Sequence, residues 1–177
     1  MDLAQQKYPI GKLQLPEKVS EAQLQEALQT LETFPKQLRE LTHQLTEAQL
    51  QKPYRDGEGV WTLRQLIHHI SDSHHHAYNR IRWTLSEEQP TAKVYDQDAF
   101  AKAYDYSHAP IEWSLRHIEV LHQKMVYIFR NLSEAQWQRT YIHPENNKIW
   151  TLEEVALQYA WHSKHHFAHL QNGIARA

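Results

Sequence analysis

Two stretches of this chain are near copies: LTEAQLQKPY, from Leu45 to Tyr54, and LSEAQWQRTY, from Leu132 to Tyr141. Each is followed by Trp-Thr-Leu, beginning at Trp61 in the first copy and at Trp150 in the second. Self-similarity at such a distance marks a repeated supersecondary unit. The repeated segment reads as the end of one helix, a loop and the capped start of the next. Thr62 with Gln65, and Thr151 with Glu154, have the three-residue spacing of a capping box. The repeat therefore predicts two related α-hairpins. Each carries an apolar stripe that it cannot bury alone, so the two are expected to pack as a four-helix bundle in one domain spanning residues 1–177.

Composition agrees with an all-α fold. There are only four glycines and seven prolines, while Leu, Gln, Glu and Ala are abundant. The turn density and β-branched runs of a sheet protein are missing. The first long helix begins at Ser20, capped with Gln23, and carries Leu24, Ala27, Leu28 and Leu31 on one stripe. Pro35 is expected to kink or divide it before the pattern resumes through Leu38, Leu41 and Leu45. After the loop KPYRDGEGV, the second helix runs from Thr62 to about Ser86. A polar connection with a short helix around Asp96 to Tyr104 leads to the third, from about Pro110 to Asn131, with Ile111, Leu115, Ile118, Leu121, Met125 and Phe129 at helical spacing. The fourth runs from Thr151 to about Asn172, where Gly173 is expected to end it.

Several function classes are excluded. Lys and Arg total 19 against 21 Asp and Glu, and no basic run can track a phosphate backbone, so nucleic acid is not an expected partner. The absence of cysteine rules out disulfides, thiolate metal ligands and a cysteine nucleophile. No apolar segment is long enough to span a bilayer, and MDLAQQKYPIGKLQLPEK lacks the pattern of a signal peptide. The expected location is the cytoplasm, with no membrane partner.

What demands explanation is the 14 histidines. On the fourth helix Leu152, Val155, Tyr159, His162, His166 and Leu170 recur at steps of three and four, which puts His162 and His166 on the inward stripe. Residues at i and i+4 lie roughly 5–6 Å apart on one helix face, within reach of a single metal ion. His165 and His169 repeat the spacing nearer the edge of the stripe. A third ligand can come from His68, His69, His74, His75 or His76 on the second helix. A helical wheel puts His74 nearest the stripe of Leu63, Leu66, Ile67, Ile70 and Ile81, His69 at its flank and His68 toward solvent. Spacing alone does not choose among them.

The segments PYRDGEGVWTLRQLIHHISDSHHHAYNR, YIHP from Tyr141 to Pro144, and WHSKHHFAHL from Trp161 to Leu170 together resemble the DinB-like superfamily, and within it the YfiT group of metal-dependent hydrolases. The likeness spans nearly the whole chain, with three separated motifs in order; the loop RDGEGVW is slightly longer than the usual form. The resemblance implies a four-helix bundle, a homodimer, and one metal ion held by one histidine of the second helix and two of the fourth. The motif position before a hydrophobic residue and Ser-Asp maps onto His69, and the other two ligands map onto His162 and His166.

A three-histidine site leaves a coordination position open, the arrangement of a catalytic metal. One divalent ion per chain is expected, zinc first and nickel as the alternative. Hydrolysis of a small-molecule substrate by activated water is the leading expectation. Asp72, one turn beyond His69, and His143, in the loop before the fourth helix, are the candidate acid–base groups. Arg55 and Arg80 are candidate contacts for an anionic substrate group, with surface solvation as the competing account. Relatives in the superfamily suggest a thiol S-transferase as the second function, with the thiol supplied by a cosubstrate. A non-catalytic metal-binding bundle is the third.

Overall fold

All three expected long-helix capping boxes form. In the computed structural model, which describes residues 2–145 and 147–177, the Ser20, Thr62 and Thr151 side chains each accept the backbone N–H three residues on. The side chains of Gln23, Gln65 and Glu154 accept the cap N–H in return. In chain order the elements are α1 (Leu3–Lys7), α2 (Glu21–Thr42), α3 (Glu47–Leu50), α4 (Leu63–Ser86), α5 (Gln97–Ala101), α6 (Tyr104–His108), α7 (Ile111–Arg130), α8 (Glu134–Trp137), β1 (Thr140–His143), β2 (Lys148–Thr151) and α9 (Leu152–Ile174). The long helices α2, α4, α7 and α9 form the bundle.

The bundle is as expected; its internal pairing is not. Helix α2 packs against α7 and α9, and α4 packs against the same two. The helices of one repeat therefore lie across the diagonal, each leaning on helices of the other repeat, rather than side by side as a hairpin. Apolar residues fall into two clusters. One holds Leu28 and Leu31 of α2, Ile81 of α4, Met125 and Phe129 of α7, and Val155 and Tyr159 of α9. The other holds Phe34 and Leu38 of α2, Leu66 and Ile67 of α4, Ile118 of α7 and Leu170 of α9. In sequence His74, His122, His162 and His166 lie between the residues that each helix gives to the two clusters.

Four local expectations change. The repeated LTEAQL and LSEAQW segments are not helix ends: Thr46 with Gln49, and Ser133 with Gln136, cap separate one-turn helices, α3 and α8. Pro35 does not divide α2, which runs unbroken through it. The stretch before the last helix is a β-hairpin rather than a loop, with Tyr141 opposite Trp150 and His143 opposite Lys148. In the first repeat the same geometry shrinks to a single bridge, Pro53 with Thr62, because proline has no N–H to extend a ladder. Both copies keep one shared bond: Leu63 N–H donates to the Lys52 carbonyl at 2.9 Å, and Leu152 N–H to the Arg139 carbonyl at 3.2 Å.

Gly173 does not terminate α9 either. It is buried inside the helix where another chain segment presses on it, and a Cβ there would meet Leu63 Cδ2 at 2.8 Å and the Tyr54 backbone at 3.0 Å. Its value is close approach, not a left-handed cap. Gly173→Ala is expected to lower stability by about 1–3 kcal/mol despite alanine's better helix propensity, measured by denaturant unfolding.

Candidate metal centre

His69 leaves the inner face of α4, and His162 and His166 leave consecutive turns of α9, which packs on it. One ring nitrogen from each comes within 4.8 Å of the other two. The Nε2 atoms of His162 and His166 are 3.1 Å apart. Two nitrogens bound tetrahedrally at about 2.0–2.1 Å from one zinc-class ion would lie about 3.3 Å apart, so the donor set fits such an ion with little movement.

The protonation state also fits. Burial pushes the His69 imidazole down to about 4, with the neighbouring His165 adding to the effect. Burial and the surrounding imidazoles hold His162 and His166 well below the ordinary histidine range. All three are neutral near pH 7 and retain the lone pair that ligation requires.

Two cavities flank the triad, both lined by His69 and His162. One, of about 520 Å³, lies toward the N-terminal segment and is bounded by Tyr8, Tyr54, Arg55 and Trp61. The Trp61 ring lies 4.7 Å from that of His69. The other, of about 580 Å³, is bounded by Ser73, Arg80, Tyr95, His143, Gln158 and Tyr159, with Asp96, Asp98 and Glu145 at its exposed side.

Arg80 is only 7% exposed, so surface solvation does not account for it. Its Nη1 donates to the Tyr159 hydroxyl at 3.2 Å, and among the described residues its Nε has no partner. Among the described residues no carboxylate forms an ion pair with it. A buried guanidinium so placed is poised for an anion or a strongly dipolar acceptor. Arg55, by contrast, is half-buried and occupied by the Tyr54 hydroxyl and the Asp56 carbonyl.

The remaining candidates separate clearly. His143 reaches the second cavity from β1, its Nδ1 buried, without a hydrogen bond among the described residues, and 3.9 Å from Glu145. Burial and the Arg80 charge lower its pKa. Asp72 does not join the triad: its carboxylate accepts the Tyr106 hydroxyl at 2.5 Å, and it lines neither cavity. One turn of helix rotates it onto the α6 side of α4, away from His69. His68, expected at the solvent edge, is buried because α6 and α7 cover it, and its Nδ1 pairs with Ser114 Oγ at 2.7 Å. His75 is exposed, and His76 stacks on Tyr95. His74 lies in the core as expected. His165 and His169 form a second cluster with His166.

Two participants were missed from the sequence. Tyr95, in a connection without periodicity, brings its hydroxyl to 3.5 Å from His69 Nδ1. His122 had a readable signal, since it lies four residues after Ile118 and three before Met125 on the apolar stripe of α7.

Residues 30–170 match the model of the DinB superfamily. The chain belongs to the DinB superfamily. A relative from Halalkalibacterium halodurans is 42% identical over 170 residues, covering 96% of this chain and 97% of its own length. YfiT from Bacillus subtilis is 38% identical over 163 residues, covering 92% and 90%. Both are named provisionally as metal-dependent hydrolases. The solved structure of YfiT superposes with a TM-score of 0.93 at 36% identity over 97% of each chain. It is described as a probable metal-dependent hydrolase with an unusual four-helix bundle topology. This DinB chain shares that four-helix bundle, and no helix of the described residues is long and apolar enough to cross a membrane.

The buried imidazoles make acid stability predictable. Burial lowers His122 from 6.5 to about 4. The unfolded chain therefore binds this proton between those pH values while the folded chain does not. The stability is fully present above pH 6.5 and is lost as pH falls toward 4, by on the order of 3 kcal/mol for this group alone. Urea unfolding of the metal-free protein at pH 7.5 and pH 4.5 checks this, with the lower midpoint expected at pH 4.5.

Proposed function

We propose that this DinB protein is a metal-dependent hydrolase whose single divalent ion is held by His69, His162 and His166. The observation that supports this reading most directly is the convergence of three neutral imidazoles on a point shared by two open cavities. An all-imidazole set suits zinc first and nickel second. Such an ion supplies an electrophilic centre and lowers the pKa of water toward neutrality.

The chain's own residues supply the rest. Arg80 and the Tyr159 hydroxyl offer donors to an oxygen-rich or anionic part of the substrate. His143, neutral at pH 7 and lining the same cavity as His69 and His162, is the group placed to accept a proton. Trp61 and Tyr54 wall the opposite cavity. Asp72 has no part in this scheme, because its carboxylate is engaged by Tyr106.

Untagged protein is expected to contain about one zinc or nickel per chain by mass spectrometry. His69→Ala, His162→Ala and His166→Ala should lose the ion, and His75→Ala should keep it; equal retention by all four rejects the ligand set. Metal-loaded protein should then hydrolyse activated esters or amides without an added thiol. Turnover that appears only with a low-molecular-weight thiol would transfer the assignment to an S-transferase using the same ligands. On an anionic substrate, Arg80→Gln is expected to lower kcat/KM by about tenfold to a hundredfold, the worth of a charged hydrogen bond.

A further inference from the structure

A neutral imidazole has one donor nitrogen and one acceptor nitrogen. A histidine that offers Nε2 to a metal must therefore hold its hydrogen on Nδ1, and something has to favour that tautomer. Two chains of hydrogen bonds in this bundle end on the ligand histidines, and each begins at a backbone carbonyl.

The first starts at Pro35. Proline has no N–H, so the carbonyl of Leu31, four residues back in α2, lacks its intrahelical donor. His122 Nδ1 approaches that carbonyl at 2.6 Å. A carbonyl only accepts, so the hydrogen is on His122 Nδ1 and its Nε2 carries a lone pair. That lone pair lies 2.7 Å from His74 Nδ1, which must donate. His74 Nε2 is then the acceptor, 3.0 Å from His162 Nδ1. His162 consequently holds its hydrogen on Nδ1 and presents the Nε2 lone pair.

The second chain starts at Gln6, whose carbonyl is 3.0 Å from His169 Nε2. His169 Nδ1 is therefore an acceptor, and it lies 3.3 Å from His166 Nδ1. His166 in turn is protonated on Nδ1 and presents Nε2. Both chains thus leave lone pairs facing one another, 3.1 Å apart, across the site, with the Ser73 hydroxyl 3.4 Å from His162 Nε2. Unaided, that arrangement is repulsive, and a bound cation relieves it.

We propose that His74, His122 and His169 are positioning residues that fix the Nδ1–H tautomers of His162 and His166, so that the carbonyls of Leu31 and Gln6 preset both lone pairs for the metal. The proposal rests on the ligand set assigned above but not on hydrolysis. Rigidity favours the first relay: His74 and His122 are fully buried, their rings lie edge to edge with 9° between planes and centroids 4.8 Å apart, and Phe34 packs against both. Such outer partners orient ligating histidines and raise metal affinity.

The test has two readouts, neither of them catalytic. Long-range proton–nitrogen NMR spectra of the metal-free, 15N-histidine-labelled protein should show His162 and His166 protonated on Nδ1. Zinc affinity, measured by competition with a chromophoric chelator, should fall by about 10- to 100-fold in His122→Phe and His169→Leu. The tautomer should change at His162 in the first variant and at His166 in the second. His122→Gln and His169→Asn, whose amide oxygens replace the accepting nitrogens, should bind zinc within roughly threefold of the natural protein.

Nε2 protonation of either ligand in the metal-free natural protein overturns the proposal. So does unchanged zinc affinity in both apolar variants. If an apolar variant fails to fold, the natural protein's tautomers and the amide variants still decide. Failure of the natural protein to bind zinc or nickel would instead reject the ligand assignment, while the tautomers are read independently of any metal.

Discussion

The constraint on which this structure turns is the burial of imidazoles in the middle of a helical bundle. A buried polar nitrogen without a partner costs free energy on the scale of a lost hydrogen bond. His74, His122, His166 and His169 are each at least nine-tenths buried. Leu31, Gln6 and the histidines themselves provide the partners. The imidazoles therefore hold one another in fixed orientations, and the positions of α2, α4, α7 and α9 follow from having to bring those partners together. Apolar clusters on either side supply the hydrophobic drive, but they tolerate sliding more readily than a chain of directional bonds does.

The diagonal placement of the repeats matters to the same end. Because α4 packs on both α7 and α9, His69 can meet the α9 histidines while His74, little more than one turn further, reaches across to His122 of α7. Side-by-side hairpins would pair α4 with α2 and leave one of those contacts unmade. The connections are shaped accordingly: the long segment before α7 folds back over α4, bringing Tyr95 to His69 and Tyr106 to Asp72. Asp72 thereby holds that connection against α4, where sequence position alone had suggested chemistry at the metal.

A neutral triad beside a buried arginine also sets the character of the site. With no carboxylate in the proposed ligand set, an ion would keep its full positive charge, and Arg80 adds to the field in the neighbouring cavity. The acidic residues Asp96, Asp98 and Glu145 lie at the exposed side of that cavity, where solvent weakens their effect relative to the buried arginine. In the proposed function, these electrostatics would draw the electron-rich end of a substrate to the inside and leave its remainder at the mouth.

Local chemistry determined much of this. The capping boxes at Ser20, Thr62 and Thr151, the apolar periodicity of the long helices and the i, i+4 pair His162–His166 are short-range features, readable because helix periodicity and cap geometry depend on residues a few positions apart. Among the five histidines of α4, family likeness points to His69 and the helical wheel to His74. The wheel was right about burial and silent about role: His74 faces the core yet turns its nitrogens to His122 and His162. Only the tertiary structure decided that Pro35 leaves a carbonyl for His122 rather than breaking α2, that Gly173 answers to Leu63 and Tyr54, that α6 and α7 bury His68, and that Arg80 faces a cavity. Each depends on partners tens of residues away in sequence, and what a side chain does there is set by which neighbours arrive to meet it.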